Sequence, residues 1–379
     1  MKKIWRCSGI FLLVVLFLAG CGQREPEVLY IGVLAPLSGD AAPTGNDMVN
    51  AAQFAVDEIN QQGLEINGRS YKLVLVIEDD EANPETAVSA TQELINQKNV
   101  VAIVGPPFSS AAIPAAEVAE AAGIPLLSPT STNPKTTQNK QYVFRATFID
   151  DFQIQALVRF TQEDLHATKA AVLFDITNPY NQGLAESFQR AFTAIGGQVV
   201  AFESYTADQN EDFTQQLAAI KESSPDVLFL PNATNEVRQQ AEQARMMGIT
   251  ATIIGSDIWE AERLVDSPAF ENSFFSGHYC RDLSISRIRT FTEKYEQAYG
   301  RVPNGLIALT YDSFGLLVAA MKYEKDVTPE AIRNGLYNNE GFVGITGPIN
   351  YADNGDPIKS VAIWQIRDGD RACIKMITP

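Results

Sequence analysis

The stretch YKLVLVIEDDEANPETAVSATQELINQKNVVAIVG, residues 71–105, carries the fold in miniature. An apolar run, Tyr71 to Asp79, reads as a strand. Asn83 then offers a side-chain cap for a helix, and Pro84 takes its first position, where a missing N–H costs nothing. A second apolar run, Val100 to Gly105, closes the unit. Both runs are apolar on consecutive positions rather than on alternate ones, which is the pattern of parallel strands covered by helices on two faces.

The same alternation extends in both directions. Upstream, VLYIGVLAP (28–36) precedes a helical segment around Gly45 to Gln61. Downstream, SSAAIPAAEVAEAAG reads as a helix and IPLLS as the next strand. A second set begins after residue 150. DFQIQALVRFTQEDL places Ile154, Leu157, Val158 and Leu165 on one helical face. KAAVLFDI (169–176), QVVAFESY (198–205), DVLFLPN (226–232) and ATIIGSD (251–257) read as strands, with helices between them and Gly197 and Gly248 at helix-ending positions. The last third differs: ISRIRTFTEKYEQAYG and GLIALTYDSFGLLVAAMKYE are long helices, and SVAIWQIRDG with RACIKMI forms a late hairpin. Two tandem runs of alternating strands and helices predict an α/β protein of two doubly wound parallel-sheet lobes.

The ends and the charge narrow the class. Lys2, Lys3 and Arg6 precede an apolar segment, SGIFLLVVLFLAG, that suits a signal peptide over residues 1–20 better than a span of about 20 apolar residues. It ends in LAGC, which resembles the lipobox of bacterial lipoproteins, so Cys21 is the expected lipid-modified residue and 21–27 a short tether; plain cleavage near Gly20 or an uncleaved anchor are the alternatives. No other apolar run reads as long enough to span a membrane. The chain has 29 basic and 46 acidic residues; without the three basic residues of the signal the net charge falls from −17 to −20. Such a surface repels nucleic acid and anionic lipid. Of four cysteines, Cys7 leaves with the signal and Cys21 is assigned to lipid. Cys280 and Cys373 either pair outside the cytoplasm or remain isolated thiols.

In an open parallel sheet, ligands bind beyond the carboxyl ends of the strands. Those ends carry Phe108, Ser109 and Ser110 after one strand, and Thr130, Ser131 and Thr132 in SPTST after the next. In the second lobe they carry Tyr180, Asp257 and Trp259. Hydroxyls at a helix start suit a carboxylate, a nearby Asp suits an ammonium, and aromatic rings supply walls. The set therefore suits a small zwitterion. Taken singly, Ser109 could be a helix cap, Asp257 a turn residue and Trp259 core.

The segments IGVLAPLSG, AAQFAVDEIN, VVAIVGPPFSS, AGIPLLSPTSTNP, YVFRAT, NPYNQGLAESF, IIGSDIW and GFVGITGPINYADNGD run in this order over residues 28–370; no single one is decisive, and the ordered set is highly specific. The chain resembles the periplasmic leucine/isoleucine/valine-binding protein family, the type I substrate-binding proteins of ABC transporters. The resemblance implies two lobes, 28–149 with 283–348 and 150–282 with 349–379, joined by three crossings near 148–150, 280–284 and 348–350 and closing on ligand. It implies that Ser109 and Thr132 clamp the ligand carboxylate, that the Thr130 carbonyl and Asp257 take the ammonium, and that Tyr180 closes over the ligand. Thr44 and Ala233 stand where relatives carry aromatic residues, which opens the side-chain preference. The expectations are a monomeric lipid-anchored binding protein outside the cytoplasm, with an amino acid ligand, a permease partner and no cofactor or metal. Amides, urea or aromatic acids as ligands, or a receptor's sensing subunit, are the alternatives. An enzyme is disfavoured: His166 lies at a polar helix end, His278 and Cys280 lie at an expected crossing away from the strand-end loops, and there is no nucleophile elbow or phosphate loop.

Overall fold

The computed structural model describes residues 25–206, 212–232, 234–261, 264–338, 341–351 and 354–378. The signal segment, Cys21 and Ala233 lie outside the described residues. The first sheet contains β1 (Glu27–Ala35), β2 (Leu64–Ile66), β3 (Arg69–Asp79), β4 (Ala102–Val104), β5 (Leu126–Ser128) and β6 (Val143–Arg145), in the order β2-β3-β1-β4-β5-β6. All pairs are parallel except β2 with β3. Helices α1 (Ala42–Gln62), α2 (Pro84–Asn96) and α3 (Ser109–Ala122) connect it.

The opening stretch folds as its residues dictate. Asn83 Oδ1 accepts from the N–H groups of Glu85 (2.9 Å) and Thr86 (3.1 Å), so two donors that α2 leaves unpaired are satisfied by one side chain. Leu94 of α2 is fully buried and lies against Gly32 of β1, where a side chain would meet it. The apolar run continues into Ile31, Val33 and Leu34, all fully buried.

The second sheet follows α4 (Asp150–Glu163) and comprises β7 (Lys169–Asp175), β8 (Gln198–Tyr205), β9 (Val227–Leu230), β10 (Thr252–Gly255) and β11 (Ser273–Gly277), all parallel, linked through α5 (Pro179–Ala194), α6 (Thr214–Ser223) and α7 (Thr234–Met246). The chain then returns to the first sheet with α8 (Ser286–Tyr299), α9 (Gly305–Glu324) and α10 (Pro329–Asn338), and with a small hairpin of β12 (Val343–Gly344) and β13 (Gly347–Pro348). It ends as β14 (Val361–Arg367) and β15 (Asp370–Ile377), an antiparallel hairpin on the β11 edge, giving the order β15-β14-β11-β10-β9-β7-β8. The protein is mixed α/β, with parallel-dominant sheets in two lobes.

Several local readings change. β2, β6 and β11 are too short or too mixed to stand out in the sequence. The left-handed residue after α5 is Gly196 (φ +90°), while Gly197 leaves room for the Phe192 ring. Helix α9 is long and apolar enough to cross a membrane by length and composition, but it is a core helix: Leu309, Phe314, Leu317 and Met321 pack on β1 and α1 residues such as Val33 and Met48. Truncating any one of them to Ala would cost about 2–5 kcal/mol. The third passage between sheets comes later than residues 348–350. Ile349 and Tyr351 still belong to the first core, and Gly355 O accepts from the N–H of Arg145 at 2.9 Å. Cys280 and Cys373 are disulfide-bonded, with Cα atoms 5.6 Å apart, tying the segment after β11 to β15.

Candidate functional site

The carboxyl ends of the two sheets face one another across a cavity of about 300 Å³. Phe108, Ser109, Ser110 and Thr130 line it from the first sheet, and Tyr180 and Asp257 from the second. These are residues that strand-end reasoning singles out. Thr44 also lines it.

On the first-lobe wall, Gly105 (φ +105°) lets the loop after β4 turn tightly past Leu34, where any side chain would strike the Leu34 carbonyl. The turn delivers Phe108 and the start of α3. The N–H groups of Ala111 (3.1 Å) and Ala112 (2.8 Å) bond back to Phe108 O, while those of Ser109 and Ser110 have no protein acceptor among the described residues. Two free donors at a helix start, beside the Ser110 hydroxyl, make an anion-binding corner.

Behind this wall the residues around Thr130 are held from both sides. Ser128 Oγ donates to Pro106 O (2.6 Å) and Thr130 Oγ1 to Pro107 O (2.9 Å). Ser131 does not reach the cavity: it is buried, and its hydroxyl bonds to those of Ser109 (2.9 Å) and Thr136 (2.7 Å). Thr132 is likewise fully buried behind the wall, its hydroxyl beside Asp150. Both therefore support the loop rather than line the cavity. The clamp on the loop is Arg145, fully buried at the end of β6. It donates to Ser131 O (2.6 Å), Asn133 O (2.9 Å) and Thr137 Oγ1 (2.8 Å) and pairs with Asp356 (2.6 Å). Burial lowers the Arg145 guanidinium from its ordinary range, and the Asp356 carboxylate opposes that.

The second-lobe wall is built around Asp257, at the start of a 3-10 helix, Asp257–Ala261. Its Oδ1 accepts from Gln153 Nε2 and from the Tyr180 hydroxyl (2.7 Å), and its Oδ2 lies 3.2 Å from His278 Nε2. Tyr180 in turn accepts from Ser256 Oγ (2.8 Å). Burial and the adjacent Asp257 push the Tyr180 phenol well above its usual range, so it stays a donor. Nearby, burial lifts the Asp150 carboxyl to about 7.

Trp259 corrects the expectation of an aromatic wall. It is buried in the second core, under Gly255 and edge-on to Phe270, with its Nε1 donating to Asn232 O at 3.2 Å. A 3-10 helix has three residues per turn. Positions 257 and 260 thus share the cavity face, and position 259 turns away. Glu260, missed in the sequence, lines the cavity instead. His278 is a second correction. It lines the cavity rather than lying away from it, stacks on Phe148, and its Nδ1 is 3.0 Å from Thr147 Oγ1. Reading SFFSG as a strand would have put His278 among the strand-end residues. Asn304, which caps α9 through Ile307 N–H (3.0 Å), and Leu306 complete the far side. Among the described residues no group of three or more His, Cys, Asp or Glu is arranged to hold a metal ion.

A family model described as periplasmic binding protein matches residues 28–371. The chain is 30% identical over 323 residues to an amino acid binding protein of Pseudomonas aeruginosa, covering 84% of each chain. It superposes on a leucine binding protein, LivK, from Thermotoga maritima with a TM-score of 0.86 at 30% identity, over 93% of this chain and 99% of that one. It is similar also to LivJ of Streptococcus pneumoniae, a branched-chain amino acid transporter substrate binding protein solved with isoleucine (TM-score 0.84, 30% identity, 93% and 100% coverage). All three are named for binding, two of them for an amino acid in general or leucine and the third as the substrate-binding protein of a branched-chain amino acid transporter.

Proposed function

The chain belongs to the periplasmic binding protein family of the ABC transporter type, and from that premise we propose that it captures an amino acid between its lobes and delivers it to a membrane permease. The observation that carries the reading is the opposition, across one cavity, of two free N–H donors at the start of α3 and a buried carboxylate, Asp257. The ligand carboxylate sits at Ser109 and Ser110, where the helix end favours negative charge. The ammonium sits between Asp257 and the Thr130 carbonyl, which accepts no hydrogen bond from a described protein group. Tyr180 and His278 orient the carboxylate of Asp257.

No bond is made or broken in this cycle. The first lobe holds ligand through α3, and closure adds the contacts of the second. Ligand shifts the open–closed balance by its differential affinity for the closed state. Tethering through Cys21 keeps the protein near the permease, and the LAGC stretch supports it.

A thermal-shift screen of the protein, refolded to strip carried-over ligand, tests the reading. The panel holds the twenty amino acids with urea, short amides and benzoates. A ligand at 1,000 times its Kd adds about 4 kcal/mol of stability. Stabilisation by amino acids is expected; stabilisation by amides or aromatic acids alone would discard the ammonium role of Asp257.

A further inference from the structure

Asp257 and Glu260 lie three residues apart on one 3-10 helix, so they share its cavity face with a rise of roughly 6 Å between them. Their surroundings differ. Asp257 is engaged by Gln153, Tyr180 and His278. Glu260 is 5% exposed, lines the cavity and is nearly without partners. Its Oε2 has only the long contact from the His278 main-chain N–H (3.4 Å), and no described group donates to Oε1. Arg371 donates to the main-chain carbonyl of Glu260 and makes no ion pair with its carboxylate. Opposite stands Gly305, where any side chain would collide with Oε2; a glycine at the start of α9 makes the room for this carboxyl group.

Among the described residues no Lys or Arg lines the cavity, whereas Asp40, Asp257 and Glu260 do. The α-carboxylate and α-ammonium of an amino acid would be matched by the α3 start and by Asp257. That leaves Glu260 as a second acceptor, set along the wall from the first. Resting on the amino-acid reading, we infer that the site selects an amino acid whose side chain ends in an N–H donor (carboxamide, ammonium or guanidinium), which the Glu260 carboxylate accepts. A side chain of about four atoms covers the offset between the two acids. An aliphatic side chain would bury the carboxyl group without a donor, which is the costly arrangement. Burial does raise the Glu260 carboxyl, and the nearness of His278 and Arg371 opposes the rise.

The test is titration calorimetry on the ligand-stripped protein with glutamine, asparagine, lysine and arginine against leucine, isoleucine, valine and glutamate. At least one of the first four should bind about tenfold or more tighter than leucine, and glutamine tighter than glutamate, its nearly isosteric acid. Glu260→Gln should erase most of that margin for a cationic ligand, and leucine should bind the variant no more weakly than it binds wild type, because the buried charge it would leave without a donor is gone. Should the variant fail to melt cooperatively, the wild-type ranking alone decides. Leucine, isoleucine or valine binding tighter than every donor, or a cationic ligand whose margin over leucine is unchanged in Glu260→Gln, overturns the inference and keeps the amino-acid reading. Binding of no amino acid at all overturns both.

Discussion

Asp257→Asn removes one negative charge and almost no volume. In the folded protein the Asp257 carboxylate is 6% exposed and already accepts from Gln153 and Tyr180. The Asn carbonyl oxygen keeps at least one of those bonds, so the wall stands. What is lost is the charge-assisted contact with the ligand ammonium. Hydrogen bonds to charged groups contribute about 1.5–3 kcal/mol, and truncating a desolvated charge pair costs about 2–5 kcal/mol. A loss of about 2–4 kcal/mol corresponds to roughly 30- to 700-fold weaker binding at about 1.4 kcal/mol per tenfold. Calorimetric titration of the best amino acid from the screen, and of the same molecule with the amine replaced by hydroxyl, reads it directly. Wild-type protein should prefer the amine strongly, and the variant should prefer it little. An affinity within about threefold of wild type, in a variant that still melts cooperatively, would refute the ammonium assignment.

Three further outcomes are expected. Asp150 has a folded-state value near 7 against an ordinary 3.8, so its proton is held more tightly in the folded chain. The unfolded chain then binds fewer protons between those values, and stability falls as pH rises from about 4 through 7. Asp150→Asn should therefore stabilise the protein at pH 8, on the order of a few kcal/mol, and change little at pH 4; urea midpoints across pH check it, and a pH-independent difference speaks against it. Asp356→Asn strips the buried Arg145 of its charge partner. Breaking such a pair costs about 3–5 kcal/mol, and because Arg145 holds Ser131 O and Asn133 O, ligand affinity should fall with the melting temperature. Full affinity in that variant would mean that the loop needs no clamp. Cys21→Ser should move the protein from the membrane fraction to the soluble fraction and abolish incorporation of labelled fatty acid; a variant that stays in the membrane would end the lipid-anchor proposal.

How much of this was legible depends on how far apart the cooperating residues stand in the chain. The strand–helix–strand unit of residues 71–105 is local: Asn83 caps the helix beginning one residue later, and the apolar runs on either side need no distant partner to be recognised. The parallel sheets follow, and with them the rule that loops at the carboxyl ends converge. That is why Ser109, Thr130, Tyr180 and Asp257 could be gathered from the sequence as one site. The resemblance of ordered segments over residues 28–370 pointed the same way.

Other features depend on geometry that no local pattern encodes. Glu260, and not Trp259, lines the cavity because the chain after β10 winds as a 3-10 helix, and its three-residue turn sends Trp259 into the core under Gly255. His278 reaches Asp257 only because the short strand β11 lies beside β10 in the sheet. Cys280 meets Cys373 across 93 residues, and Arg145 meets Asp356 across 211. Sequence by itself determined the alternation of elements, the acidic surface and the list of strand-end residues, since each rests on composition or on short-range periodicity. Tertiary structure alone decided which of those residues face the cavity and which carboxylates stand unpaired in it, because side-chain direction and distant contacts are set by how whole elements pack.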